Sequence, residues 1–246
     1  MKVFQKYAGY YDKIYKGKDY KKEADFIKKV INRYSSNKVE NILSLGCGTA
    51  SHDIVLAKSG FKIMGIDMSD KMIKIAKEKA SAEKADIKFK VADITDFKVS
   101  EKFDFSMAMF NIIGYMIENE SMEKMLKNVS KYLKKGGLFV FDCWYGPAVL
   151  KSRPEDKTKE IGNGLVRKTT QNLDIEKSII EINFEIKENN VARSKETHKM
   201  RFWNLKEMDY FLNKNGFEII KACNFMDLSS KISENDWNIF IIAKKI

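Results

Sequence analysis

A glycine turn directly after a short apolar run places the strongest constraint on how this chain can fold. Residues 39–45 form the apolar run, and Gly46 and Gly48 follow within the stretch LSLGCGTA. Glycines at the end of a strand let the backbone turn tightly into a helix and pass close to a ligand. The next apolar run, 61–66, ends in Asp67, where an acidic residue can accept hydrogen bonds from both hydroxyls of a ribose. The pattern predicts a strand, turn, helix and strand that bind an adenosine-type ligand.

Two other nucleotide-binding motifs are incomplete or missing. Ser51 stands three residues after Gly48, where the dinucleotide fingerprint G-x-G-x-x-G/A has a glycine or alanine. The sequence contains no G-x-x-x-x-G-K-[ST] stretch, which excludes a P-loop. An NAD-dependent oxidoreductase is therefore disfavoured, but it stays open as an alternative.

Apolar runs alternate with amphipathic segments along the first part of the chain. The spacing predicts helices at 21–34, 52–59, 68–80 and 120–133, and strands at 39–45, 61–66, 87–91, 103–110 and 138–144. The stretch 134–137, Lys-Lys-Gly-Gly, predicts a helix stop with a turn. Strands that alternate with helices in this way favour a doubly wound parallel sheet.

A different pattern begins after residue 146. Polar and apolar residues alternate between 165 and 203, and Asn189-Asn190 is typical of a hairpin turn, so the stretch predicts a small antiparallel sheet with one solvated face. A helix at 205–215 and strands at 217–224 and 237–243 follow. We therefore expect an N-terminal helical lid (1–35), an α/β core (36–145), an inserted antiparallel β cap (146–204), and a C-terminal helix and hairpin that complete the core (205–246).

Composition excludes several classes of protein. Hydrophobic residues make up 44% of the 246 residues, enough for a large core. The apolar runs are shorter than the roughly 20 residues of a membrane span, and no secretory signal is visible at the N-terminus. Three cysteines without a CxxC pair favour a cytoplasmic protein without disulfides. The two histidines lie far apart and predict no metal site.

The charge balance is basic, with 45 Lys and Arg against 34 Asp and Glu, a formal net charge of +11. A basic surface can bind nucleic acid. The lysines are nevertheless spread along the whole chain beside acidic residues, and no arginine-rich block occurs. A nucleic-acid partner is therefore disfavoured.

The ordered motifs resemble those of class I S-adenosylmethionine (SAM)-dependent methyltransferases. LSLGCGTA is similar to the first motif of that family, MGIDMSDKM to the second and VADI to the third, and the final helix and strand pair resembles its closing antiparallel strands. The resemblance implies a seven-stranded, mostly parallel Rossmann-like sheet, SAM as cofactor and in-line methyl transfer. The cofactor-binding residues that it implies are Tyr20, Gly46, Cys47, Gly48, Asp67, Met68, Met72, Asp93, Ile94 and Phe110. Ser44 and Ala50 depart from the first motif, which more often has an acidic residue and a glycine there.

Aromatic residues follow two of the predicted strands, where open α/β sheets bind their ligands. Rings there suit an acceptor that carries a ring or a cationic methyl group. His198 alternates with Glu196 on one face of the cap, so it is a further pocket candidate. The predicted substrate contacts are Asn111, Trp144, Tyr145 and His198. His52, early in the helix after the glycine turn, is expected to be a half-exposed helix residue.

A second group of aromatic residues lies near the N-terminus. The stretch from Tyr11 to Tyr20 resembles the N-terminal lid of nucleotide-linked amino-sugar N,N-dimethyltransferases, and the loop F-x-x-I-G-Y at 110–115 resembles the same subgroup. The resemblance implies that Tyr11 and Tyr20 close over the cofactor and that Tyr115 faces the acceptor amine, which makes Tyr115 and Tyr11 the catalytic candidates. The leading hypothesis is methyl transfer to a small-molecule amine by an enzyme that can form a homodimer. An RNA or protein methyltransferase is the first alternative, and a non-enzymatic cofactor-binding regulator also stays open.

Overall fold

A computed structural model describes Phe4 and residues 7–246. The helices are α1 (Ala8–Ile14), α2 (Tyr20–Tyr34), α3 (Ser51–Lys58), α4 (Asp70–Ala82), α5 (Asn119–Tyr132), α6 (Gly146–Lys151) and α7 (Leu205–Lys214), with a 3₁₀ turn at Ile112–Tyr115. The strands are β1 (Asn41–Leu45), β2 (Lys62–Asp67), β3 (Ile87–Val91), β4 (Phe103–Ala108), β5 (Leu133–Trp144), β6 (Lys157–Gly162), β7 (Leu165–Asp174), β8 (Ile179–Glu188), β9 (Val191–Arg201), β10 (Phe217–Asn224) and β11 (Asn238–Lys245). None of the described helices is long and apolar enough to span a bilayer.

Seven strands form the central sheet in the order β10-β11-β5-β4-β1-β2-β3. The five strands from β5 to β3 pair in parallel, whereas β11 runs antiparallel to both β5 and β10. The predicted fold class, a mostly parallel α/β sheet closed by an antiparallel strand pair, is confirmed. The carboxyl ends of β1, β2, β4 and β5 consequently meet at one edge of the sheet.

The central sheet is buried on both faces by helices. Neighbouring residues of β1 enter different cores, because Ile42 packs into the cluster that contains α2 and Leu43 packs into the cluster that contains α5. Side chains alternate between the two faces of a strand, so a strand covered on both faces reads as a continuous apolar run. This burial explains why the apolar runs predicted the central strands.

Three local features differ from the predictions. Residues 134–137 are not a turn between a helix and a strand, since β5 begins at Leu133 directly after α5 and carries an irregularity there. Phe103 of β4 pairs with Leu133 and Phe105 pairs with Leu138, so the extra residues of β5 are accommodated as a bulge. Helix α6 and the exposed strand β6 were not predicted, because α6 is only six residues long and β6 (KTKEIG) lacks an apolar alternation.

The segment after β5 forms a separate four-stranded antiparallel sheet, β6-β7-β8-β9, which we call the cap. Asn189 and Asn190 join β8 to β9 with φ angles of 49° and 64°, the left-handed conformation that a two-residue hairpin turn requires. This hairpin confirms the predicted antiparallel insertion. On the inner side of the cap, Leu165 and Ile186 pack against Tyr7 and Ile14, so the N-terminal helix lies against the cap.

Candidate active site

A cavity opens at the carboxyl ends of the parallel strands. Its walls are the glycine turn after β1, the loop after β4, the inner face of β8 and β9, and the aromatic residues of the N-terminal segment. The cavity therefore has a core end, near the glycine turn, and a cap end, near β8 and β9.

The glycine turn lines the core end with backbone only. Gly46 and Gly48 have φ angles of 62° and 55°, which L side chains rarely adopt. A Cβ at Gly46 would lie 2.5 Å from the side chain of Ile112, whereas a Cβ at Gly48 would meet no atom within 4 Å. The space beside Gly48 is thus open for a ligand that approaches the backbone.

Asp67 ends β2 beside this turn, with only 8% of its surface exposed. Its carboxylate accepts hydrogen bonds from the backbone N–H groups of Gly48 at 2.9 Å and Ser69 at 2.8 Å. Burial raises the pKa of Asp67, and the two backbone donors oppose that rise. Each carboxylate oxygen has a second lone pair, so the side chain can still accept hydrogen bonds from ligand hydroxyls.

The N-terminal segment covers the cavity with aromatic rings. The ring centroids of Tyr11 and Tyr15 lie 4.7 Å apart, and Tyr15 lies 5.1 Å from Phe110 in an edge-to-face arrangement. Asp12, from the same helix, accepts a hydrogen bond of 2.7 Å from the hydroxyl of Thr49 in the glycine turn. The lid and the glycine turn are therefore joined by a polar contact as well as by rings.

A second polar link joins α2 to the cavity. Glu23 contacts Lys18 Nζ at 2.6 Å through one carboxylate oxygen and His52 Nε2 at 2.6 Å through the other. Lys18 also lies 4.2 Å from the centroid of the Phe110 ring. His52 is only 12% exposed and lines the cavity. The expectation of a half-exposed His52 was wrong, because its ring is covered by Glu23 and Tyr20.

The loop after β4 is held by Asp142 of β5. The carboxylate accepts hydrogen bonds from the backbone N–H of Phe110 at 2.6 Å and of Asn111 at 2.9 Å. Both loop residues have positive φ angles, 74° and 54°, so the carboxylate compensates for an unfavourable backbone conformation. Burial raises the pKa of Asp142 to about 6, although the two backbone donors lower it.

Asn111 presents a free donor to the cavity. Its side-chain oxygen accepts a hydrogen bond of 3.3 Å from the backbone N–H of Trp144. Its buried amide nitrogen has no hydrogen-bond partner within the described part of the chain. Because an unsatisfied buried donor costs about 1–3 kcal/mol, this group fits a site that a ligand completes.

At the cap end, Tyr115 from the core meets His198 from β9. The Tyr115 hydroxyl lies 2.7 Å from His198 Nδ1, and the imidazole is 1% exposed. The rings of Phe4 and Phe184 pack edge-on against it, with centroids at 4.9 Å and 5.1 Å. Burial raises the pKa of Tyr115 well above its ordinary value, so its hydroxyl is neutral near pH 7.

The structure brings most of the predicted site residues to this cavity. Those that line it are Tyr11, Tyr20, Gly46, Cys47, Gly48, Asp67, Met72, Phe110, Asn111, Tyr115, Trp144 and His198. Burial raises the pKa of the Cys47 thiol well above its ordinary value, which makes this cysteine a poor nucleophile.

Four predicted site residues do not line the cavity. Met68 is 52% exposed at the end of β2, and Ile94 is buried in the core. Asp93 is exposed, and one of its oxygens accepts hydrogen bonds from Thr95. Tyr145 packs against the core beside Trp203. Their assigned roles stay predictions.

Several cavity residues were not assigned to the site from the sequence. Ile182, Phe184 and Met200 project inward from β8 and β9 next to His198, and their alternation along the strands is the signal that could have placed them. Asp142 is a single acid within an apolar strand, a second signal of a partnered buried group. Among the described residues, His, Cys, Asp and Glu form no cluster of three or more that could hold a metal ion.

Residues 42–137 match the family model of a methyltransferase domain. The chain is a SAM-dependent methyltransferase. The match runs from β1, through the glycine turn and Asp67, to the bulge in β5. The predicted family, enzyme class and cofactor are confirmed.

Full-length comparisons place the whole methyltransferase in the same fold. It is 24% identical over 255 aligned positions to a protein of Geobacillus sp. (strain WCH70) whose name provisionally describes it as a methyltransferase. The alignment covers 99% of this chain and 100% of the relative. The crystal structure of a SAM-dependent methyltransferase from Clostridium acetobutylicum superposes with a TM-score of 0.85 at 21% identity, covering 99% of both chains. That likeness includes the cap as well as the core.

A third relative has a named substrate. The methyltransferase is 27% identical over 143 residues to the dTDP-3-amino-3,4,6-trideoxy-alpha-D-glucopyranose N,N-dimethyltransferase of Streptomyces venezuelae. This match spans 57% of the present chain and 58% of the relative. The similarity to this amino-sugar enzyme thus covers little more than half of either protein.

Proposed function

We propose that this methyltransferase moves a methyl group from SAM to the amine of a small-molecule acceptor bound at the cap end of the cavity, with nucleotide-linked amino sugars as the leading substrate class. The observation that carries the proposal is the 2.7 Å contact between the Tyr115 hydroxyl and His198 Nδ1. It supplies a route for the proton that an amine loses on methylation. The predicted cytoplasmic location and homodimer stay predictions.

The core end fits the cofactor. Gly46 and Gly48 offer backbone without side chains, and Asp67 offers carboxylate lone pairs for the ribose hydroxyls. When bound, SAM supplies a methyl group that its sulfonium has already activated. The contribution of the protein is then binding, alignment and electrostatics, and alignment alone can supply about 7–11 kcal/mol.

The cap end fits an amine. A methylated amine becomes an ammonium that must lose a proton. Because Tyr115 is neutral, its hydroxyl can take that proton only while passing its own proton to His198 Nδ1. The transfer from Tyr115 to His198 is along a hydrogen-bond distance of 2.7 Å, and a positioned acid–base group contributes typically about 10²–10⁴-fold to rate.

The surroundings of that pair suit a cationic product. Phe4, Tyr11 and Phe184 place rings on the walls of the same cavity, and ring faces attract cations by about 0.5–2 kcal/mol. The unpaired amide nitrogen of Asn111 can donate to a hydroxyl or carbonyl of the acceptor. The Streptomyces venezuelae relative acts by its name on a nucleotide-linked amino sugar, which supports that substrate class here.

The first experiment is calorimetric titration with S-adenosylhomocysteine, with NAD as the parallel control. We expect binding of the first ligand only. S-adenosylhomocysteine release from SAM is then measured with dTDP-linked 3-amino and 4-amino sugars and with the matched hydroxy sugars. Turnover that requires the amino group supports the proposal, whereas turnover of the hydroxy sugars alone would overturn the choice of an amine.

The net charge of +11 supports one rival, a methyltransferase that acts on RNA. The enclosed, ring-lined cap end argues against a base embedded in a folded RNA. RNA binding that weakens steeply with salt, together with methyl incorporation into RNA, would favour the rival over the small-molecule amine.

A further inference from the structure

The second nitrogen of His198 faces a carboxylate that the proposed chemistry has not yet used. Nε2 of His198 lies 3.5 Å from Oε2 of Glu196, and the two side chains are 1% and 10% exposed. They stand two residues apart on β9 and therefore project from the same face of the cap. A buried acid thus lies behind the imidazole, on the side away from Tyr115.

The position of the imidazole proton decides which way the hydrogen bond between Tyr115 and His198 runs. A neutral Tyr115 hydroxyl can donate to Nδ1 only when the single proton of a neutral His198 lies on Nε2. That nitrogen is 3.5 Å from the Glu196 carboxylate and has no hydrogen-bond partner among the described residues. We infer that Glu196 is a positioning residue for methyl transfer: it holds His198 in the Nε2–H tautomer and balances the positive charge that forms when Nδ1 takes the proton. The inference rests on the proposed function for its catalytic meaning.

Proton transfer along this path balances without another reactant. The ammonium of the methylated acceptor gives its proton to the Tyr115 oxygen while the Tyr115 proton moves to His198 Nδ1. The acceptor leaves as a neutral amine, Tyr115 is unchanged, and His198 carries one positive charge beside the Glu196 carboxylate. The proton is later returned to solvent.

The same carboxylate also binds the N-terminal segment. Glu196 accepts hydrogen bonds from the backbone N–H of Phe4 at 2.7 Å and of Tyr7 at 3.2 Å. The rings of Phe4 and Tyr7 pack against His198, with centroids at 4.9 Å and 6.2 Å. The position of the N-terminal segment and the orientation of the His198 imidazole therefore both depend on the Glu196 side chain. The proton path from Tyr115 to His198 is complete when the segment is bound to Glu196.

Other titratable or charged groups also lie around His198. Tyr115 and Tyr7 face it from the core and the lid, and Arg167 of β7 lies behind Tyr7, with its Nη1 3.3 Å from the Tyr7 hydroxyl. Phe184 of β8 and Phe4 contribute rings without charge. Among the described residues, Glu196 is the carboxylate placed to form an ion pair with a protonated His198.

Nuclear magnetic resonance of the ¹⁵N-histidine-labelled full chain tests the inference without an acceptor. The sequence contains two histidines, so His52→Gln assigns the signals. In the wild type we expect neutral His198 as the Nε2–H tautomer. In Glu196→Gln, the Nδ1–H tautomer of His198 should gain population, because a neutral amide attracts the Nε2 proton less strongly than a carboxylate does. An Nδ1–H tautomer in the wild type would overturn the inference.

Glu185→Gln is the matched control. Glu185 lies beside Phe184 on β8, projects to the opposite face of the cap and pairs with Lys195 at 3.0 Å. It should leave the His198 signals unchanged, and an equal change in both variants would overturn the inference. With an active acceptor, Glu196→Gln should lower kcat while the affinity for S-adenosylhomocysteine stays near that of the wild type, and Glu196→Asp should recover part of the rate. If no amine is turned over, the proposed function fails while the spectroscopic result still decides the role of Glu196.

Discussion

The carboxylate of Asp142 holds the backbone of Phe110 through a hydrogen bond of 2.6 Å. This contact joins the end of β5 to the loop after β4, and the second carboxylate oxygen holds Asn111 in the same way. The loop continues directly into the turn that carries Tyr115. One buried acid therefore supports both the ring wall of the cavity and the turn that carries Tyr115.

This acid makes stability depend on pH. Burial raises the pKa of Asp142 from its ordinary value of 3.8 to about 6. At a pH between these two values, the carboxyl group is therefore protonated in the folded protein and ionised in the unfolded chain. The contribution of Asp142 to stability is therefore fully present below about pH 4 and is lost as the pH rises through about 6. Relative to Asp142→Asn, the free energy of unfolding should fall by about 3 kcal/mol over that interval.

Urea unfolding of the wild type and of Asp142→Asn at several pH values measures this difference. Any effect of the asparagine that does not vary with pH cancels when the two pH dependences are compared. Asp227→Asn, at an exposed carboxylate bonded to Ser229, serves as the control. A difference between wild type and Asp142→Asn that stays flat with pH would show that Asp142 is ionised throughout.

Asp67→Ala should weaken the binding of S-adenosylhomocysteine more than tenfold, which is about 1.4 kcal/mol. The substitution removes the acceptor for the ribose hydroxyls and also frees the N–H of Gly48. Calorimetry gives the affinity. Asp67→Asn keeps one acceptor oxygen, so its affinity should lie between those of the wild type and Asp67→Ala. Asp70→Ala, at an exposed position three residues along, controls for the loss of a charge. Wild-type affinity in Asp67→Ala would remove the assigned role.

Tyr115→Phe should reduce turnover by roughly 10²-fold, since it removes the hydroxyl that we propose passes the proton to His198. The ring remains, so the affinity for S-adenosylhomocysteine should change little. Steady-state kinetics with the first active acceptor provides the measurement, and Tyr210→Phe, on a ring that is 60% exposed, is the control. If cofactor binding collapses instead, Tyr115 belongs to the core end of the cavity.

Asp12→Ala should loosen the N-terminal helix. The carboxylate of Asp12 accepts a hydrogen bond from Thr49 and lies 3.0 Å from Lys79 Nζ, so it joins α1 to the glycine turn and to α4. We expect faster amide exchange across α1 and weaker binding of S-adenosylhomocysteine. Asp25→Ala, which removes a carboxylate paired with two lysines on α2, should change neither. Unaltered exchange in α1 would mean that ring packing alone holds the lid.

The inner strands of the central sheet could be predicted because burial on both faces gives them a continuous apolar pattern. The edge strand β3, which is only partly buried, was also predicted with its observed limits, Ile87–Val91, and the glycine turn located the core end of the cavity. The bulge at 134–137 could not be predicted, because Lys-Lys-Gly-Gly is typical of a turn and only pairing with β4 extends it as a strand. Strand β6 is polar and exposed, so its pairing with β7 leaves no pattern in the sequence.

Site residues that follow the central strands could be predicted because topology gathers the carboxyl ends of parallel strands. Contacts between the core and the cap could not be predicted from the sequence. Tyr115 and His198 are 83 positions apart, and nothing in either local sequence encodes that they meet. The links from Phe4 and Tyr7 to Glu196 cross 192 and 189 positions, and they depend on how the lid is seated against the cap.

The N-terminal segment touches both ends of the cavity, through Tyr11 and Tyr20 at the core end and through Phe4 and Tyr7 at the cap end. A displacement of this segment that lets spent cofactor out therefore also uncovers the acceptor. An acceptor that receives two methyl groups would be released between them and would have to rebind. We consequently expect the monomethylated compound to accumulate in solution before the dimethylated one, which is distributive rather than processive behaviour.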